Sequence, residues 1–145
     1  MSKSFEKEFI SFCENQDLQV NINQIKVIKK LETYYQINFK SFLLKLFSKK
    51  SSQKCFYLYG DVGVGKTMIL NFFFDRLDKK KLRKHFNEFM LNFHDFTHEK
   101  KERSEENIIN LFVKDLKSKA SLIYFDEFQV TNIVDAMILG KLFDQ

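Results

Sequence analysis

The sequence predicts an α/β fold, a parallel sheet with flanking helices, and three observations carry that expectation. Two short apolar runs, 55–59 and 122–125, each break off into residues suited to a ligand-facing loop, Gly60 in one case and Asp126-Glu127 in the other. The stretches 68–77, 105–117 and 132–143 carry apolar residues as helices do, so strands and helices alternate along the chain, the order that lays helices over a parallel sheet. Three of only four glycines fall within residues 60–65. A chain that uses glycine so sparingly concentrates it where backbone must approach something closely.

Taken in order, residues 24–35 place Ile25, Ile28, Leu31 and Tyr35 on one face, the spacing of an amphipathic helix. Residues 38–47 repeat the pattern with Phe39, Phe42, Leu43, Leu46 and Phe47, a face better suited to packing in a core than to lying on a membrane. Lys49 to Gln53 is a polar break. The aromatic-rich run Cys55 to Tyr59 then has the pattern of a buried first strand. Residues 68–77 are apolar enough for a helix buried on most sides, with Phe72, Phe73 and Phe74 as core residues. A second strand is expected over His85 to Phe89, with a helix beginning in Met90 to His98. Residues 105–117 carry Ile108, Ile109, Phe112 and Leu116 at helical spacing, and Leu122 to Phe125 is the third strand. The last helix, Asn132 to Phe143, would be capped by Asn132, with Asp135 reaching back from its third position.

At 145 residues the chain is long enough for one domain with a real core and too short for two. Hydrophobic residues make up 44 % of it, which excludes compositional disorder. Eighteen phenylalanines, no tryptophan and no proline fit AT-rich coding, as does the preference for lysine over arginine, and this lowers the weight of any lysine cluster. The net charge of +5 is spread along the chain among acidic residues. Its densest basic run, Lys79, Lys80, Lys81, Arg83 and Lys84, reads as a solvated loop between elements, and no base-stacking platform accompanies it. The sequence therefore gives no strong nucleic-acid signal. Cys13 and Cys55 form no CxxC pair, so neither a disulfide framework nor a zinc site follows, and a reducing cytosol is the simple reading. The amino terminus carries Glu6 and Glu8 and lacks arginine, unlike a secretory or mitochondrial leader. No stretch has the length to span a bilayer. The expectation is a cytoplasmic protein with peripheral membrane contact at most.

The chemistry-bearing residues begin at Gly60. Gly60, Asp61, Val62, Gly63, Val64, Gly65, Lys66 and Thr67 fit G-x4-G-K-[ST], the P-loop pattern, and Met68 follows at the start of the expected helix. A run of backbone N–H groups must wrap a polyphosphate there, so side chains are trimmed and the glycines must allow positive φ. The following helix turns its positive end toward the phosphates. In this reading residues 60–68 bind nucleotide, Lys66 neutralises the β- and γ-phosphates, and the Thr67 hydroxyl ligates Mg²⁺. Sixty positions after Lys66, the strand Leu122 to Phe125 ends in Asp126 and Glu127. The carboxyl edge of a parallel sheet is where ligands bind. Asp126 would hold Mg²⁺ partly through its water shell, and Glu127 would orient and deprotonate an attacking water. Lys66, Asp126 and Glu127 are thus the candidate catalytic set. His94 and His98 share the i, i+4 spacing of metal ligands, but no third ligand is evident in the sequence and packing or solvation explains them.

These residues resemble one family. The segment FDEFQVTNIVDAMILGKLF, 125–143, closely resembles the Walker B region of ZapE-like ATPases, bacterial relatives of mitochondrial Afg-type AAA proteins. KHFNEFMLNFH, 84–94, resembles the family's second-strand segment, and YLYGDVGVGKTMILNFFFD, 57–75, its P-loop. Gln24 and the helix around it suit the family's amino-terminal segment more loosely. Asn132 stands where the resemblance leads one to expect Asp, which keeps the cap and removes a charge.

The resemblance implies a P-loop NTPase fold of AAA+ type with strand order 5-1-4-3-2, of which this chain supplies strands 1 to 3. The expected division is a helical segment over 1–50 and a partial AAA+ domain over 51–145. A sensor residue, an arginine finger and the remaining strands are expected beyond residue 143, and without strand 4 the first strand has no neighbour, which would make the isolated chain marginally stable or prone to aggregate. ATP and Mg²⁺ are the implied cofactors. The implied function is ATP hydrolysis by a homo-oligomer acting on a protein client in bacterial cell division. The alternatives are a truncated remnant that binds nucleotide without turnover and a nucleic-acid-linked AAA+ motor.

Overall fold

The computed structural model describes residues 4–40 and 55–145. The expected helix over 38–47 and the polar break after it lie largely outside the described residues. The chain divides into two compact units, residues 1–76 and 77–145.

The first unit is helical. Helix α1 (Phe5–Asn15) starts at Ser4, whose Oγ accepts from the Lys7 N–H, and buries Phe5, Phe9 and Cys13 at four-residue spacing. Helix α2 (Ile22–Tyr35) opens with a reciprocal capping box. The Asn21 side chain accepts from the Asn23 N–H at 2.8 Å, and Gln24 Oε1 accepts from the Asn21 N–H at 3.4 Å. It buries Ile28, Leu31, Tyr34 and Tyr35 and runs on into a π-helical turn, Gln36–Lys40. Helix α3 (Lys66–Arg76) buries Ile69, Phe72 and Phe73. The three helices meet through aromatic rings. Phe9 lies edge-on to Phe72 with centroids 5.0 Å apart, and Phe5 contacts Tyr35 and Phe73 at 5.9 Å each. Arg76 lies 3.5 Å over the Phe72 ring and reaches Glu8 Oε2 at 3.1 Å, tying α3 to α1.

The expected first strand is corrected here. Residues 55–60 form no strand, and Tyr57 and Tyr59 are exposed rather than buried. An apolar run becomes a strand only when a neighbour satisfies its backbone groups. Among the described residues the first unit contains no other strand.

The second unit is built on a two-stranded parallel sheet. Strand β1 (Lys81–His85) pairs with β2 (Leu122–Asp126), Lys81 opposite Leu122 and His85 opposite Asp126. Helices α4 (Phe86–Glu99) and α5 (Glu105–Lys119) make the crossover between them, and α6 (Ile133–Phe143) follows β2. Two adjacent parallel strands at these positions are the 3-2 pairing that the family resemblance implies.

The second strand and helix start earlier than expected. Of the expected strand His85–Phe89 only His85 is in a strand, because Phe86, Phe89, Met90 and Phe93 recur at 3.6-residue period and bury together as the core face of α4. The strand is instead the basic run before them, which corrects its reading as a solvated loop. Its cations are engaged within the unit. Lys81 Nζ donates to the Leu77 carbonyl, Arg83 pairs with Asp126, and Lys84 pairs with Glu88. The α4 face packs against Ile109 and Phe112 of α5 and against Ile138, Leu139 and Leu142 of α6.

Candidate functional site

The phosphate-loop residues belong to the first unit. Gly63 and Gly65 adopt φ of +82° and +83°, a backbone that an L side chain takes only with strain, so the two glycines permit the turn. Gly65 closes the loop as the residue before α3, its carbonyl accepting from the Ile69 N–H at 3.0 Å. Lys66 curls back over the loop and donates from Nζ to the carbonyls of Gly60 at 2.9 Å and Asp61 at 2.6 Å. Its ammonium thus lies against the loop backbone at the amino end of a helix. Val62 is 98 % exposed and Asp61 is also on the surface, so neither side chain closes the loop against solvent. Thr67 and Met68 lie in the first turn of α3.

One residue of this region was not singled out as a site residue by the sequence pattern. Gln24, the same side chain that caps α2, donates from Nε2 to the Val64 carbonyl at 3.2 Å. A Cβ added to Gly65 would lie 2.8 Å from that nitrogen. Gly65 therefore answers both to its φ and to the space that Gln24 occupies.

The acidic pair belongs to the second unit. Asp126 is the last residue of β2, and the ladder sets Arg83 opposite Tyr124, two residues before it on the same face. Arg83 Nη2 donates to Asp126 Oδ2, its guanidinium lies 5.2 Å from the Tyr124 ring centroid, and the Tyr124 hydroxyl donates to Asp126 Oδ1 at 3.4 Å. The hydrogen bond from Arg83 is the main reason the Asp126 carboxyl sits below the usual carboxylate range, with the guanidinium charge adding to it against the opposing effect of burial. Burial, then the Asp126 charge, pushes the Tyr124 phenol up. Asp126 is thus an ionised, oriented oxygen donor, the ligand type that suits Mg²⁺. Arg83 was obscured in sequence by the lysines around it.

Glu127, next to Asp126, holds φ at +52°. A left-handed non-glycine residue costs about 1–2 kcal/mol, and such strain gathers at functional positions. Glu127 is exposed.

Among the described residues no three His, Cys, Asp or Glu side chains could hold a metal. His94 Nε2 instead meets Asp135 Oδ1 at 3.1 Å, linking α4 to α6. That contact corrects the expected role of Asp135 in the α6 cap. Asn132 does cap the helix, accepting at Oδ1 from the Val134 N–H at 2.8 Å.

Residues 9–145 match the family model for AFG1-like ATPases, nearly the whole chain. The chain belongs to the AFG1-like ATPase family. It is similar to Lactation elevated protein 1 homolog B of Danio rerio, 37 % identical over 107 residues, a match covering 67 % of this chain and 21 % of that protein. It is also similar to an uncharacterised protein of Schizosaccharomyces pombe, 34 % identical over 119 residues, covering 70 % and 26 %. Cell division protein ZapE of Escherichia coli is 33 % identical over 96 residues, covering 66 % and 25 %. The chain thus spans about a quarter of the length of the curated relatives it matches. No solved structure matches it. Among the described residues no helix is long and apolar enough to cross a membrane.

Proposed function

We propose that the protein binds Mg-ATP through residues 60–68 and hydrolyses it as an AAA+ ATPase. The observation that carries this reading is the phosphate loop itself: glycines at positive φ, the amino end of α3, and the Lys66 ammonium held against the loop carbonyls. Lys66 would neutralise the β- and γ-phosphates, and Thr67 and Asp126 would hold Mg²⁺, Asp126 partly through water. Glu127 would orient a water and accept its proton. Residues 51–145 form the P-loop part of the protein in this reading, with 1–50 as its helical lead-in.

ATP rather than GTP rests on the family, as does a homo-oligomer in which a neighbouring subunit supplies an arginine. The client in this proposal is a protein, and cell division is the setting that the name of the Escherichia coli relative supplies. The cytoplasm is the corresponding location. A nucleic-acid motor gains no support, since Lys81, Arg83 and Lys84 of the densest basic run are engaged within their own unit. The test is ATP hydrolysis by the protein and by Glu127→Gln. Loss of a positioned general base lowers turnover on the order of 100-fold or more while Mg-ATP binding stays. Equal hydrolysis by the two proteins would remove Glu127 from the mechanism.

A further inference from the structure

We infer that Gln24 is a positioning residue of the phosphate loop, fixing the direction of the Gly65 amide N–H from outside the P-loop motif. The inference rests on the nucleotide-binding reading and adds a residue forty positions upstream of the peptide it holds. Gln24 works at both ends. Its Oε1 accepts from the Asn21 N–H, which anchors the side chain to the first turn of α2. Its Nε2 donates to the Val64 carbonyl at 3.2 Å. The Val64–Gly65 peptide is planar, and no peptide bond among the described residues is cis. The Val64 C=O and the Gly65 N–H therefore point in opposite directions. Holding the carbonyl toward Gln24 turns the N–H away from it.

That restraint matters because Lys66 holds the Gly60 and Asp61 carbonyls and α3 holds the Gly65 carbonyl, while the Val64–Gly65 peptide between them is held by Gln24. Gly63 and Gly65 lack the Cβ that would confine the backbone, and no atom lies within 4 Å of where a Cβ on Gly63 would sit. An anion nest requires successive N–H groups to converge before the ligand arrives. Each amide that is already aimed removes an ordering cost from binding. The 2.8 Å approach of Gln24 Nε2 to a Gly65 Cβ position shows that the glycine leaves room for this contact.

The test uses two variants of the protein and Mg-ATP as the probe, titrated calorimetrically beside thermal unfolding. Gln24→Met keeps the length of the side chain and removes both hydrogen bonds. Gln24→Glu keeps the acceptor for the Asn21 N–H and removes the donor to Val64 but adds a negative charge beside the loop, so both variants are titrated at low and at high salt, where charge repulsion is screened and the lost bond is not. The inference predicts folded proteins and Mg-ATP affinity weakened about 2- to 10-fold in both at high salt, the fold-change of one net hydrogen bond. Weakening in Gln24→Met alone would place the effect in the helix cap and overturn the inference. Affinity within the error of wild type in both variants would do the same, and so would failure of both to fold. If wild-type protein does not bind Mg-ATP, the nucleotide-site reading falls instead, and the two failures are distinguished by that single curve.

Discussion

Replacing Gly65 by alanine should destabilise the first unit more than replacing Gly63, although the two residues have the same backbone conformation. Their φ angles are +83° and +82°, so each alanine incurs the left-handed penalty, about 1–2 kcal/mol. At Gly63 nothing lies within 4 Å of the new Cβ, and the penalty ends there. At Gly65 the Cβ would stand 2.8 Å from Gln24 Nε2, with Met68 Cε at 3.4 Å. The end of a glutamine can swing away, but only by giving up its bond to the Val64 carbonyl, a further loss of about 0.5–1.5 kcal/mol. The expected totals are about 1–2 kcal/mol for Gly63→Ala and about 1.5–3.5 kcal/mol for Gly65→Ala. Equilibrium unfolding in urea measures both. The double variant Gly65→Ala/Gln24→Ala should cost less than the sum of its parts, because the bond is lost only once. Gly65→Ala no more costly than Gly63→Ala, or strict additivity in the double variant, would refute this account of the loop.

Arg83→Gln should lower stability at neutral pH, with a deficit that shrinks in acid. The folded-state value of Asp126 lies below its unfolded value of about 3.9. The pair therefore stabilises the fold above that value, and its contribution is lost as pH falls through the folded value. The gap between the urea midpoints of the two proteins should begin to narrow as pH falls below about 4, and a gap unchanged into that range would place the effect elsewhere. Phe112→Ala removes a ring that contacts Phe89, Phe93 and Phe96 in the core of the second unit, at an expected cost of about 3–5 kcal/mol by chemical denaturation. Asn132→Ala should cost about 1 kcal/mol through loss of the α6 cap, and Asn132→Asp should restore it.

What was legible in the sequence was local. The loop over residues 60–67 could be proposed as a phosphate site because its pattern lies in eight consecutive residues, and α5 and α6 could be read because their buried faces repeat at helical spacing. The strand ending in Asp126 was legible for the same reason, an apolar run that stops at charge. The two strand errors came from non-local causes. Lys81 to His85 has no apolar pattern, and its place in a sheet depends on a partner strand and on Asp126, both about forty residues away. Cys55 to Tyr59 has an apolar pattern, but no neighbouring strand is described in its unit. The supporting residues Arg83 and Gln24 were illegible as such, because each acts on an atom 43 or 40 residues distant. The His94–Asp135 contact, 41 residues apart, was hidden for the same reason.

The central claim, that residues 60–68 bind the phosphates of a nucleotide, is tested most directly by calorimetric titration of Mg-ATP into the wild-type protein and into Lys66→Ala. The account predicts saturable binding to the wild type and an affinity at least about 10-fold weaker without the ammonium, the fold-change expected for a charge-assisted hydrogen bond. Absence of saturable binding to the wild type, or equal affinity in the two proteins, would contradict it.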